Sequence, residues 1–200
     1  MAAEVISPSE PDFFGPPPLI AGEDPAAYAA LRHRVADAVR PKDILEEIWL
    51  RDVVDLTWDV FRLRRLKAHL LRAAAHEGVR IVLAPLVRDK EYRGKGSGAE
   101  ELSQRWARGD ENAVEEVNDH LAAAGLTMDA VTAQTFAAKL DEVERIDRMI
   151  ASAEARRNLV LREVERHRET LATTLRRATE EAEDAEFEEI AAVGADAPAQ

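Results

Sequence analysis

The sequence predicts an all-α protein: an elongated, coiled-coil-like antiparallel hairpin of two long helices, with short accessory helices and disordered termini. Three observations carry that expectation. Charged residues make up 33% and aromatics 5% of the 200 residues, a balance that favours helices, because strands draw on aromatic and β-branched side chains. Two long stretches keep apolar residues at helical spacing without a strong breaker. Only VRIVLAPLV, residues 79–87, has strand character, and a lone strand interrupted by Pro85 has nothing to pair with.

Taken in order, residues 1–22 read as a disordered tail, since Pro8, Pro11, Pro16, Pro17 and Pro18 block regular structure. Asp24-Pro25 is a cap followed by proline at the first helical position, and Tyr28, Leu31 and Val35 continue a helix over 25–39 that Pro41 forbids from extending. Asp43 and Glu46 form a cap-and-return pair opening a helix over 44–77, about 51 Å long, with Gly78 as terminator. Residues 79–87 are expected as a broken helical piece, and DKEYRGKGSG, 89–98, as a linker. Helices over 99–108 and 111–124 follow, the second capped by Asp110 and ended by Gly125. Thr127 or Asp129 then starts a helix over 129–179, roughly 75 Å long, which needs a partner along its length. The result is one helical domain over 23–179 and an acidic tail over 180–200.

Composition removes several function classes. No cysteine is present, which excludes disulfides, thiolate nucleophiles and cysteine-ligated metals. The first twenty residues lack the basic start and apolar run of a signal peptide, and no stretch approaches the roughly 20 apolar residues of a membrane helix. A cytoplasmic chain without membrane contact is expected. The net charge of −12 works against nonspecific binding to nucleic acid. That charge is polarised: residues 180–200 hold eight acids and no base, whereas 62–80 hold six bases against Glu77.

DVVDLTWDVFRLRRLK, residues 52–67, concentrates charge among apolar residues. On a helical wheel Leu45, Ile48, Trp49, Leu56, Val60, Leu63, Leu66 and Leu70 form a stripe containing Asp52 and Asp59. The later helix has a seam of Phe136, Leu140, Val143, Ile146, Ile150, Leu161, Val164, Leu171 and Leu175, interrupted by Arg157 and Arg168. Unpaired buried charges cost several kcal/mol, so facing seams should match them. Asp59 is expected opposite Arg157, which sets Leu66 against Ile150 and Leu70 against Ile146. Asp52 then lies within reach of Arg168.

Asp52, Asp55 and Asp59 have the turn spacing of a carboxylate metal site, but such bundles add a Glu-x-x-His pair. None of His33, His69, His76, His120 and His167 has a glutamate three residues before it. Ion pairing is the stronger reading, and neither metal nor cofactor is expected. Gly94–Gly98 lacks the spacing and the Ser/Thr of a phosphate loop and reads as a hinge. Arg62, Arg64, Arg65, Lys67 and Arg72, near Trp58 and Phe61, support a second function class: an accessory protein contacting nucleic acid. Against it, the bases spread around the helix and Trp58 can stack with Arg62. No nucleophile–base–acid constellation supports an enzyme. The leading expectation is a noncatalytic scaffold or adaptor, joined to a protein partner or to itself. A homo-oligomer is expected because the last helix outruns its partner beyond about residue 172.

LIAGEDPAAYAALRHRV, DILEEIW and WDVFRLRRLKAHL, between residues 19 and 71, together with AEARRNLVLREVERHRETL from Ala153, carry a resemblance. The chain is similar there to short uncharacterised bacterial helical proteins that combine Gly-Glu-Asp-Pro, an aromatic residue and Arg-Leu-Arg-Arg-Leu. An Asn-Ala-x-Lys-His-Gly segment found in some of them is absent. The resemblance implies helices and no activity, so it transfers no site residue.

Overall fold

The computed structural model describes residues 14–87 and 98–195, with side chains placed as far as residue 183. Among the described residues are helices α1 (Pro25–Val39), α2 (Ile44–Leu83), α3 (Gly98–Ala107), α4 (Glu111–Ala123), α5 (Met128–Ala138) and α6 (Leu140–Ala195), and no strand. The protein is all-α. Two compact units divide it: the chain up to Leu56 together with Ala155 onward, and Thr57–Glu154. Helix α2 passes from the first unit into the second, and α6 passes back. The expected tail over 1–13, linker residues 89–97 and tail residues 196–200 lie outside the described residues.

In the first unit the opening of α1 follows the sequence logic. The Ala26 amide donates to Asp24 Oδ1 at 2.8 Å, and Pro25 fills the first turn, where its missing amide costs nothing. Arg40 takes the left-handed conformation that ends α1, φ 49°, and its amide donates to Ala36 O. Tyr28 is buried and donates from its hydroxyl to Asp55 Oδ1 at 2.5 Å. Burial first, then that bond to a carboxylate, pushes the phenol up to about 12. Arg51 holds Asp55 from α2 at 3.1 Å and also reaches Pro16 O, tying the strand of chain before α1 to α2. Leu50, Val53, Val54 and Leu56 of α2 and Val164 of α6 are buried in this unit.

The second unit is centred on the segment with strand character. Val79, Val82, Leu83 and Val87 close a core with Ala99 and Leu102 of α3, Ala113, Val117 and Leu121 of α4, and Val131 of α5. The expected stop of α2 at Gly78 is therefore corrected: the helix runs through it to Leu83 and turns only at residues 84–86. Gly78 serves a crossing. A Cβ added there would stand 2.1 Å from Thr135 Oγ1 and 2.5 Å from Val131 O, so only glycine lets α5 lie this close.

The single helix expected over 129–179 is also corrected. It is two helices, broken at Lys139 (φ −117°, ψ 21°), whose amide is shared between Thr135 O and Phe136 O. No glycine or proline marks this break. α5 is seated on Gly78, and Lys139 Nζ is held by Glu77 at 3.0 Å, while the next helix turns Val143 inward. From there Val143, Ile146, Ile150 and Ala153 are buried or half-buried at alternating steps of three and four. Lys67 meets Asp147 at 2.7 Å and Arg64 meets Glu154 at 2.8 Å. Within this unit α6 therefore runs antiparallel to α2. The start of the expected helix does hold at its cap, since Thr127 Oγ1 accepts from the Asp129 amide.

Candidate functional site

Among the described residues the buried charged side chain is Glu46, 1% exposed in the first turn of α2. Its neighbourhood is the most chemically concentrated part of the first unit. Asp43 precedes α2 and caps it, Oδ1 accepting from the Glu46 amide at 2.9 Å. Glu46 Oε2 returns to accept from the Lys42 amide at 2.9 Å. The cap-and-return pair read from the sequence is formed, with the return landing on Lys42.

Two consecutive residues of α6 complete the junction. Arg168 donates from Nε to Glu46 Oε1 and from Nη2 to Oε2, both at 2.8 Å, a two-pronged pairing that suits the planar guanidinium. The same Nη2 reaches Val39 O at 2.7 Å, serving a carbonyl at the end of α1 that has no helical partner. His167 Nε2 lies 2.8 Å from Asp43 Oδ2, and Trp49 meets the imidazole edge-on, with ring centres 5.3 Å apart. Arg168 thus joins the end of α1, the start of α2 and α6 through one side chain. The guanidinium bond, opposed by burial, holds the Glu46 carboxyl below the usual carboxylate range, and the same pair raises Arg168. Asp43 is also held low, first by the amide of Glu46 and then by His167.

Ligand atoms of Asp43, Glu46 and His167 all lie within 4.8 Å of one another, a spacing compatible with a metal ion. The donor set does not fit one. Both Glu46 oxygens are engaged by Arg168, Asp43 Oδ1 is engaged by the helix amide, and a dication would stand beside a fixed positive guanidinium. What these groups can do is neutralise and orient one another.

The expected pairing of Arg168 with Asp52 is corrected, because Glu46 takes the arginine and Asp52 is exposed. The reason is a shift of the buried face at the start of α2. Glu46, Leu50 and Val53 face inward there and Leu45 and Ile48, assigned to the stripe, are exposed; further along, Leu56 and Val60 of the stripe are buried and Leu66 is exposed. Asp59 is half-buried and bonds Arg62 on its own helix at 2.5 Å. Arg157 is half-buried, on α6 of the other unit. Asp55, the third member of the acid trio, is held by Tyr28 and Arg51.

Most of the basic cluster on α2 is likewise engaged. Arg62 holds Asp59, Arg64 holds Glu154, Lys67 holds Asp147, and Arg65 lies over the Trp58 ring, 5.2 Å from its centre. Arg72 is exposed, without ion pair or hydrogen bond among the described residues. It stands at the rim of an apolar groove of about 240 Å³, lined from α2 by Leu71 and Ala75 and from α5 by Met128, Val131 and Phe136.

Sequence reasoning found Arg168 as a seam charge but missed Glu46, Asp43 and His167 as its company. Glu46 was accounted for by capping, and nothing in spacing links Asp43 to a histidine 124 residues later. The fold and this junction define an all-helical protein organised by a charge cluster at the meeting point of three helices. No family model, curated protein or solved structure matches the chain.

Proposed function

We propose that the protein is a noncatalytic helical scaffold that associates with further copies of itself through α6 beyond Arg168. One observation carries this reading: every residue of α6 from Glu169 to Glu183 is exposed. The face that brings Val164 and Arg168 into the junction continues there as Leu171, Leu175, Ala178 and Ala182, at helical steps of four, three and four. Leu171 and Leu175 are 41% and 59% exposed. A helical stretch with an apolar face and nothing packed on it is marginal in water, and its stability normally comes from a packing partner. The junction supports the same reading, since two residues that fix the direction of α6, His167 and Arg168, stand where this stretch begins.

The finer architecture belongs to the proposal: an antiparallel hairpin of α2 and α6, coiled-coil-like, with Asp59 opposite Arg157. Its support is that pairing runs antiparallel in the second unit, where Arg64 meets Glu154, Lys67 meets Asp147 and Glu77 meets Lys139. The test is mass in solution. Light scattering at micromolar concentration is expected to give a dimer or larger species, and Leu171→Glu with Leu175→Glu to shift it toward monomer. A strict monomer in the wild-type protein removes the proposal.

A further inference from the structure

The groove between α2 and α5 has features that the second unit itself does not use. Its lining is apolar, with Leu71, Ala75, Met128 and Phe136 around a floor at Val131. Phe136 and Met128 are 42% and 37% exposed and stand together at this groove, so their apolar surface adjoins a concave apolar lining. The two threonines of the lining have spent their hydroxyl protons within α5, Thr132 on Met128 O and Thr135 on Val131 O. The groove therefore suits an apolar side chain, and Arg72 at its rim asks for an anion beside it.

One segment of the chain has the complementary character. Glu180 to Glu189 contains seven acids and no base, and within and after it Phe187, Ile190, Ala191 and Gly194 recur at the spacing of one helical face. Glu183 and Asp184 stand one turn before Phe187 on or beside that face. Helix α6 carries this segment as far as Ala195. The segment cannot serve its own groove without breaking the helix: α6 begins directly after α5, and from Leu140 to Phe187 a helix rises about 70 Å.

We infer that the groove of one copy receives the acidic end of α6 from a second copy, with Phe187 and Ile190 against Ala75, Met128 and Phe136, and Glu183 and Asp184 beside Arg72. This deepens the self-association proposed above and rests on it. Two copies exchanging these ends reciprocally close into a dimer, whereas one-way exchange propagates into a chain of copies. The polarity of the sequence, basic over residues 62–80 and acidic at the end of α6, also favours opposed approach of two copies and disfavours parallel alignment of like ends.

The cysteine-free sequence makes the arrangement testable by disulfide trapping. Full-length Ala75→Cys and Ile190→Cys proteins are mixed and oxidised, with Leu175→Cys alone reporting contact between two exposed α6 faces. The inference expects a mixed Ala75→Cys/Ile190→Cys adduct. Adding Arg72→Glu is expected to lower its yield about tenfold, and Glu183→Lys with Asp184→Lys to restore it. Association by light scattering without the mixed adduct overturns the groove while leaving self-association standing. A monomer by light scattering overturns both, and an adduct indifferent to Arg72→Glu and its rescue overturns the assigned register.

Discussion

Where the second unit closes over Val79, Leu83, Leu102 and Val117, the first closes over Glu46 and its arginine. Each unit uses a stretch of α2, yet the two stretches obtain order differently. Apolar contact in the second unit is non-directional, and any well-packed arrangement of those side chains gains from it. The Glu46–Arg168 pair gains little net stability, because desolvation offsets much of its attraction, but it accepts few geometries. The difference teaches that the first unit is built for direction, and its direction is that of α6.

That contrast can be broken or sharpened by substitution. The largest effect is expected at Leu102, fully buried in the second unit: Leu102→Ala should cost about 3 kcal/mol in chemical denaturation. Arg168→Ala should cost about 2 kcal/mol, less than removal of a fully buried partner, because the arginine is 37% exposed. The paired replacement Glu46→Met with Arg168→Leu should recover most of that loss. If direction is what the pair supplies, exposure of the Trp49–His167 contact to quenchers should rise even though stability returns. Gly78→Ala sets a gain of about 1 kcal/mol in helix propensity against the clash with Thr135 and Val131, and should come out destabilising by about 1–2 kcal/mol.

Acid should separate the units. Glu46 and Asp43 have carboxyls held below their ordinary values of 4.5 and 3.8. A depressed folded pKa gives stabilisation that is fully present above the ordinary value and is lost as pH falls through the folded one. Glu77 and Asp110 are held low in the second unit by Lys139 and Arg105 respectively, but there both carboxylates are half-buried and outside the core, whereas Glu46 is buried. Between about pH 4.5 and pH 2, amide hydrogen exchange should therefore rise first at residues 44–50 and later at 113–121. The smallest effect is expected at Tyr28→Phe, about 1 kcal/mol, because Asp55 keeps Arg51 when the hydroxyl is gone.

Local signals explain what could be read in advance. Asp24-Pro25, Asp110 and Thr127 are caps whose geometry involves only their nearest neighbours, and each sits where its chemistry places it. The tertiary features resisted. Gly78 has the look of a terminator, but its meaning comes from α5, which approaches it from more than fifty residues away. The Lys139 break has no local cause in sequence. At the junction, a wheel drawn from apolar residues alone turns the α2 stripe toward Asp52, because Glu46 carries a charge and capping already accounts for it.

The sequence by itself determined that this protein is helical, where most helices begin, and that its charge is basic over residues 62–80 and acidic over 180–200. Those properties follow from propensities, caps and composition, which act within a few residues. Only the tertiary structure decided that Glu46 is the carboxylate turned inward, that Asp43 and His167 join it with Arg168, and that a glycine inside a helix marks a crossing. The reason is physical: whether a charge is buried depends on what stands opposite it, and the residue opposite is set by packing across the whole chain.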